Sequence, residues 1–255
     1  MAPGAEGTPE GALEAARTKL DSELNRVTTE HANLVNKINS VLTTATFVSP
    51  LAGWLFSRKV QGRMDELSEN IAEVLKQVRK FLESSTPVFS LIYVGTSWNQ
   101  QILPELSGMP GIARDAKANA LHAWSGNASE AYQEKRWGQR DALEGLSGVV
   151  KDTSQWLVDV AALNTHFLVD ITTPVIDIVE AIVEAIIEIA TVFGVLEAID
   201  TIAAAIADAL GAILELAQKA TQHAVDSVSK LNEARIILND NTKFPGGNWP
   251  QAVNR

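Results

Sequence analysis

Histidines are the side chains best suited to acid–base or metal chemistry near neutral pH, and this sequence has four of them. They stand at His31, His122, His166 and His223. None has a second histidine four residues away, as in the helical metal site H-E-x-x-H. We therefore predict structural or surface roles for all four.

A ladder of carboxylates is the second pattern with chemical potential. Asp177, Glu180, Glu184 and Glu188 follow one another at spacings of three or four residues, which places them on one face of a helix. Dimetal sites in helical bundles combine such carboxylates with Glu-x-x-His pairs, and the sequence contains no such pair. We therefore interpret the ladder as a solvated face and expect no bound metal.

The common patterns for nucleophilic and nucleotide chemistry are missing. The sequence has no G-x-S-x-G elbow, no G-x-x-x-x-G-K-S/T phosphate loop and no dinucleotide fingerprint. It also has no cysteine, which excludes disulfides and thiolate chemistry. We predict that the protein is not an enzyme and binds no cofactor.

The net charge of −10 is concentrated in one part of the chain. Between Lys151 and Lys219 there are eleven acidic residues and no lysine or arginine. Removing those eleven from the 31 acids leaves 20 acids against 21 bases, so the remainder is nearly neutral. Because no basic cluster stands out, we expect no nucleic-acid partner.

Apolar periodicity predicts the elements that carry these residues, beginning with two helices in the first third of the chain. Their apolar stripes are Leu13, Leu20, Leu24, Val27, Leu34, Ile38 and Leu42, then Met64, Leu67, Ile71, Val74, Val78 and Phe81. Thr8 suits the cap of the first helix, with Pro9 at its first position. The run TFVSPLAGWLF at 46–56 is interpreted as a buried corner between antiparallel helices.

The middle of the chain is predicted to be helical as well. Residues 87–107 are compatible with a short strand, but the spacing of their apolar residues favours a helix. The prolines and glycines between Pro104 and Gly111 are expected to break or kink it. A longer helix is predicted from Asn127 to a boundary at Thr173-Pro174, since the residue before a proline disfavours helical geometry.

The acidic and apolar segment 175–217 is long enough to suggest a membrane span. Its carboxylates argue against that, since one at the centre of a bilayer costs about 2.5–3.5 kcal/mol. We predict two helices that meet near Gly194, each with a thin acidic stripe and a wide buried face. The second is expected to continue to Leu238, before a tail rich in glycine, proline and asparagine.

One short motif carries information about function. In the stretch AWSGNASEAY, Trp124, Ser125 and Gly126 are followed by Ala131 and Tyr132. A tryptophan at a helix end can pack across an antiparallel hairpin, while the glycine lets the chain reverse. The motif and the small and aromatic residues after it resemble the Trp-x-Gly (WXG) family, whose helical hairpins are substrates of type VII (ESX) secretion in actinobacteria and Firmicutes.

The resemblance covers roughly residues 88–170, about a third of the chain. It implies a secreted, non-enzymatic hairpin that pairs with itself or with a related protein and is recognised by the type VII secretion machinery. The family often carries a Tyr-x-x-x-Asp/Glu export signal, but Tyr93 and Tyr132 are followed four residues later by Ser97 and Arg136. A partner would therefore have to supply that signal.

Two functions remain open at this point. The first is a type VII substrate-like interaction protein, exported from the cytoplasm to the outside or to the cell surface without a cleaved signal peptide. The alternative is a membrane-active, pore-forming-like protein that inserts its 175–217 hairpin after its carboxylates are protonated. In either case the residues of the interface or insertion face would be Ile178, Ile182, Ile186, Ile189, Phe193, Ile202, Ile206 and Ile213.

The predicted fold is all-α, an elongated bundle of antiparallel, coiled-coil-like helical hairpins with a Trp-x-Gly turn. We expect a flexible tail at 1–8 and an N-terminal hairpin at 9–86. Residues 87–240 should hold the Trp-x-Gly hairpin and the acidic, apolar pair, packed as one domain with 9–86. A C-terminal tail is expected at 241–255.

Overall fold

The computed structural model describes residues 8–48, 50–115, 124–189 and 192–251. Within these ranges the chain forms helices and turns and contains no strand, so the protein is an all-α helical bundle, as predicted. The helices are α1 (Pro9–Val48), α2 (Pro50–Ser84), α3 (Val88–Ser97), α4 (Leu103–Asp115), α5 (Asn127–Glu188) and α6 (Val192–Leu238). A π-helical segment, Trp98–Ile102, joins α3 to α4, and His122 and most of the predicted N-terminal tail lie outside the described ranges.

The beginning of α1 follows the predicted capping chemistry. The backbone N–H of Gly11 donates to Thr8 Oγ1 at 3.1 Å, and the N–H of Ala12 donates to the Thr8 carbonyl at 3.0 Å. Pro9 occupies the first helical position, where its missing N–H has no partner to lose. Thr8 and Pro9 therefore confirm the predicted start of this helix.

The helices divide into two compact units, each made of two separate parts of the chain. Unit 1 comprises Met1–Pro87 and Leu163–Thr221, and unit 2 comprises Val88–Ala162 and Gln222–Arg255. The chain passes between the units at three points. The first, at Pro87–Val88, lies between α2 and α3, and the other two fall inside α5 and inside α6. No turn signal marks the two points inside α5 and α6, so the sequence pattern could not locate them.

Unit 1 is held together by aliphatic stripes of the predicted spacing. The helices α1 and α2 pack against each other, and His31 of α1 bonds Ser68 of α2 about equally far from their junction, so the two run antiparallel. The buried residues of these helices include Leu13, Leu20, Leu24, Leu34, Ile38, Leu67, Val74 and Val78. In the same unit, Phe81 of α2 meets Phe167 of α5 edge to face, with ring centroids 5.3 Å apart.

The predicted helix boundary at Thr173-Pro174 is wrong, because α5 continues through Pro174 to Glu188. A proline inside a helix removes a hydrogen bond and costs about 3 kcal/mol. The neighbouring side chains Ile171, Val175 and Ile178 are completely buried, and that burial offsets the local cost. Pro110 likewise lies inside α4, which it does not terminate.

Unit 2 contains a close contact between α3 and α5 that depends on a glycine. A Cβ atom at Gly95 would lie 2.9 Å from the backbone oxygen of Ser154 and 3.0 Å from Cβ of Leu157. The helices therefore approach each other more closely here than any residue with a side chain would allow. Residues 88–107 are helical rather than extended, as the spacing of their apolar residues predicts.

The chain after α6 folds back onto α5 in unit 2. Asp240 accepts hydrogen bonds from the N–H and the hydroxyl of Thr242, which lower the pKa of its carboxyl. This turn places Phe244, which is buried, against Gly145. Gln139 Nε2 also donates to the carbonyl of Pro250 at 3.0 Å, so these residues of the predicted tail are part of the unit.

The apolar run 46–56 differs from its predicted role as a buried corner. It does lie at the junction of α1 and α2, but Phe47, Leu51, Trp54 and Leu55 are exposed. No described residue of unit 1 covers these side chains, because the run lies at the end of both helices.

Candidate recognition site at the start of α5

The Trp-x-Gly motif forms the entry into α5. Trp124 and Ser125 are non-helical, and Gly126 has a positive φ of 95°, a conformation that side-chain-bearing residues rarely adopt. The Gly126 carbonyl accepts hydrogen bonds from the N–H groups of Ser129 and Glu130, at 2.9 and 3.1 Å. Gly126 thus orients the preceding chain at a fixed angle to the first helical turn.

A third hydrogen bond fixes the backbone of the tryptophan. The hydroxyl of Ser129 donates to the Trp124 carbonyl at 2.9 Å, and Ser129 is buried. A buried polar side chain of this kind is stable when its hydrogen bond is made. The position of Trp124 is therefore fixed by the backbone conformation of Gly126 and by the hydrogen bond from Ser129.

Trp124 and Tyr132 form an aromatic pair at this position. Their ring centroids are 5.6 Å apart and their planes are inclined by 49°, within the range of favourable aromatic contacts. The indole is 41% exposed and Tyr132 is half-buried, while Ser125 and Ala131 are exposed. We call this pair, with the Gly126 and Ser129 that orient it, the aromatic platform.

The platform differs from the buried turn expected from the sequence. The indole of Trp124 is partly open to solvent and contacts Tyr132, which lies about one and a half turns into α5.

 The helix α4 is described as far as Asp115, and the predicted chain reversal before α5 lies outside the described residues. What the described residues provide is a helix start with an exposed aromatic pair.

No family model, curated protein or solved structure matches this chain.

The isoleucines predicted to form an interface or an insertion face are mostly part of the core of unit 1. The buried ones are Ile178, Ile182, Ile189, Ile202, Ile206 and Ile213. Ile186 is half-buried, and Phe193 lies in α6 with its side chain outside those described. The neighbouring helices of unit 1 cover these residues, so they are not open to a partner in this conformation.

The carboxylate ladder lies on the solvent-facing side of α5. Asp177, Glu180, Glu184 and Glu188 are all exposed, in agreement with the predicted solvated face. Among the described residues no group of three or more histidine, aspartate or glutamate side chains has a geometry that could hold a metal ion. In this part of the chain no helix has the length and hydropathy needed to cross a membrane.

The described histidines occupy separate places. His166 and His223 are exposed, whereas His31 is half-buried between α1 and α2. Its Nε2 lies 3.1 Å from the hydroxyl oxygen of Ser68, and that hydroxyl donates to the Met64 carbonyl at 2.7 Å. Because burial disfavours the charged ring, the pKa of His31 is lowered from its ordinary value of 6.5.

Two features of unit 2 were not anticipated by sequence reasoning. One is the contact at Gly95, since a glycine inside an apolar run does not reveal what approaches it. The other is an open cavity of about 350 Å³ beside Trp156, whose buried Nε1–H has no hydrogen-bond partner among the described residues. Asp152, Asp159 and Glu233 also line this cavity.

Proposed function

We propose that the protein is a non-enzymatic interaction protein whose aromatic platform is contacted by a protein partner, as in the substrates of type VII secretion. The observation that carries the proposal is the exposure of Trp124 in an arrangement fixed by Gly126 and Ser129. Tryptophan and tyrosine are enriched at protein interfaces and dominate their binding energy. Here both rings are presented side by side at the surface.

The rigidity of the platform supports a recognition role. Ordering a flexible side chain on binding costs about 0.5–1.5 kcal/mol, which a preformed arrangement avoids. The Ser129 hydroxyl and the Gly126 carbonyl already fix the backbone around Trp124. A partner would therefore meet an aromatic surface that needs little rearrangement.

The export part of the proposal rests on the resemblance of this motif to the Trp-x-Gly family. A related partner would supply the Tyr-x-x-x-Asp/Glu signal that this chain lacks, and the pair would leave the cytoplasm through type VII machinery. The final location would be outside the cell or at its surface.

The test compares Trp124→Ala with Trp137→Ala in the native host. Trp137 is a matched control, because it lies on α5 close to the platform, is 48% exposed and contacts Arg140 rather than the platform. We expect Trp124→Ala to reduce the exported fraction about tenfold, the effect of losing one interface anchor of about 1.4 kcal/mol. Trp137→Ala should be exported normally.

A second variant, Gly126→Ala, separates the shape of the platform from its aromatic surface. Alanine is strained at a positive φ, so Trp124 should be displaced while its side chain remains. Circular dichroism must show that each variant is helical and soluble. Unchanged export of folded Trp124→Ala and Gly126→Ala proteins would refute the proposal.

The alternative, insertion of the 175–217 hairpin into a membrane, stays a prediction. It would require unit 1 to open, since Ile182 and Ile206 are buried within it. Dye release from liposomes at neutral and mildly acidic pH tests this alternative directly. Absence of leakage at either pH would exclude it.

A further inference from the structure

Four large apolar side chains are exposed together at the junction of α1 and α2. Phe47 is 91% exposed and Leu51 is 75% exposed, and Trp54 and Leu55 are also more than half exposed. Together they present on the order of 500 Å² of apolar surface, which is a large patch for a soluble monomer. We call these four residues the apolar end.

The apolar end extends beyond the neighbouring helices of unit 1. Arg63 of α2 forms an ion pair with Asp200 of α6. Arg63 lies further from the start of α2 than Asp200 lies from the start of α6, so α2 extends past the start of α6. Phe81 of α2 also contacts Phe167 of α5. Phe81 lies further from the start of α2 than Phe167 lies from the end of α5, so α2 extends past α5 at this end as well. With a rise of 1.5 Å per residue, the apolar end extends on the order of 10 Å past the junction of α5 and α6.

The charge of this region is opposite to that of the whole chain. Residues 31–64 contain four basic side chains and no acidic one, in a chain of net charge −10. The four are Lys37, Arg58, Lys59 and Arg63. Arg58 and Lys59 are exposed and follow the apolar end directly, and the Arg58 guanidinium lies 5.9 Å from the ring centroid of Trp54.

We propose that the apolar end docks onto an anionic phospholipid surface. Phe47, Leu51, Trp54 and Leu55 would enter the boundary between headgroups and acyl chains, a position that tryptophan favours. Arg58 and Lys59 would then lie at the level of the lipid phosphates, which attract basic residues. Glu188, at the end of α5, is set back from this surface by the extension of α1 and α2.

The same observations disfavour a second copy of this chain as the occupant. Two apolar ends in symmetric contact would bring Arg58 and Lys59 close to their own copies, without an acidic residue in 31–64 to balance them. The patch is also smaller than the area of about 800 Å² that each partner contributes to a standard interface. This proposal is independent of the aromatic platform, which belongs to unit 2.

The first experiment places a fluorophore on the apolar end. Because the chain has no cysteine, Leu51→Cys provides a single site for an environment-sensitive dye. Leu214→Cys is the matched control, since Leu214 is 62% exposed, belongs to the same unit and lies on α6 far from the junction. On vesicles of phosphatidylcholine with phosphatidylglycerol, we expect a blue shift and brighter emission at position 51 but not at position 214.

The second experiment measures the binding of unlabelled variants by vesicle co-sedimentation. Leu51→Ser with Trp54→Ser should lower the partition coefficient about tenfold or more, because less apolar surface enters the lipid. Arg58→Ser with Lys59→Ser should lower binding mainly at low salt, where the surface charge is least screened. Leu214→Ser should bind like the original protein.

Three results would overturn the proposal. The first is no response at position 51 on anionic vesicles, and the second is an equal response on vesicles of phosphatidylcholine alone. The third is a spectral shift at position 51 that increases with protein concentration without lipid, which would indicate contact between copies of the chain. A response at position 51 that requires phosphatidylglycerol would support it.

Discussion

Two stretches of this chain are similarly apolar and lie in opposite environments. The isoleucine-rich stretch 178–213 is mostly buried in unit 1, whereas the apolar end at 47–55 is exposed. In the first stretch the isoleucines recur at helical spacing between exposed acids, so a few neighbouring helices can cover one face. In the second the apolar residues surround the end of two helices, where little chain is available to cover them. The position of each stretch within unit 1, rather than its apolar content, therefore decides which stretch is buried.

The strongest test of this comparison removes a side chain from each stretch. Ile182→Ala should lower the free energy of unfolding by about 2–5 kcal/mol, because it leaves a cavity in a completely buried position. Leu51→Ala should change it by less than about 0.5 kcal/mol, because Leu51 is 75% exposed. Urea unfolding followed by circular dichroism measures both values.

A similar loss of stability in the two variants would contradict the comparison. It would mean that Leu51 is covered in solution, for example by self-association, and that the apolar end is not free. Measuring both variants at several protein concentrations distinguishes these cases, since the stability of an associated form depends on concentration.

A smaller effect is expected at the contact between α3 and α5 in unit 2, where burial depends on the absence of a side chain. Gly95→Ala should destabilise the protein by about 1–3 kcal/mol, since its Cβ would meet the rigid backbone oxygen of Ser154. Gly148→Ala is the control, because Gly148 also lies in a helix of unit 2 and no heavy atom is within 4 Å of its Cβ position.

The control should be neutral or more stable by up to about 1 kcal/mol, the difference in helix propensity between glycine and alanine. Thermal unfolding midpoints of the two variants provide the measurement. If Gly95→Ala were as stable as Gly148→Ala, the close approach of α3 and α5 would not be present in solution.

The sequence predicted the features that depend on local chemistry and on periodicity. Thr8 and Pro9 mark the start of α1 through contacts within one helical turn, and the aliphatic stripes of α1 and α2 identify the residues they bury. The end of α6 at Leu238 also follows from the composition of the residues after it. In each case the information lies within a few residues of the feature.

The sequence failed where distant residues decide the outcome. Pro174 was expected to end a helix, but buried neighbours stabilise the helix through it. The run around Trp54 was expected to be buried, since its composition does not show that it lies at the end of unit 1. For the aromatic platform, the motif located Trp124 and Gly126, but only the structure described the Ser129 hydrogen bond and the exposure of the indole.

The smallest expected effect concerns a polar contact within the buried part of unit 1, between His31 and Ser68. The Ser68 hydroxyl already donates to Met64, so its oxygen accepts from the N–H of a neutral His31. Burial lowers the pKa of His31 below 6.5, and in the unfolded chain the ring has its ordinary pKa. Below pH 6.5 the unfolded state therefore binds more protons than the folded state.

His31 should accordingly make the protein less stable as the pH falls from 6.5 to the lowered pKa of the folded state, with no further change below that value. His31→Gln retains a donor for Ser68 but does not titrate, so this part of the pH dependence should disappear. Urea midpoints of both proteins at about pH 7.5 and pH 5 measure the effect, and the difference between the proteins cancels the titration of the carboxylates they share. An identical pH dependence in the two proteins would mean that His31 has the same pKa in the folded state as in the unfolded chain. The contact between α1 and α2 would then be less tightly packed at His31 and Ser68 than at the aliphatic positions around them.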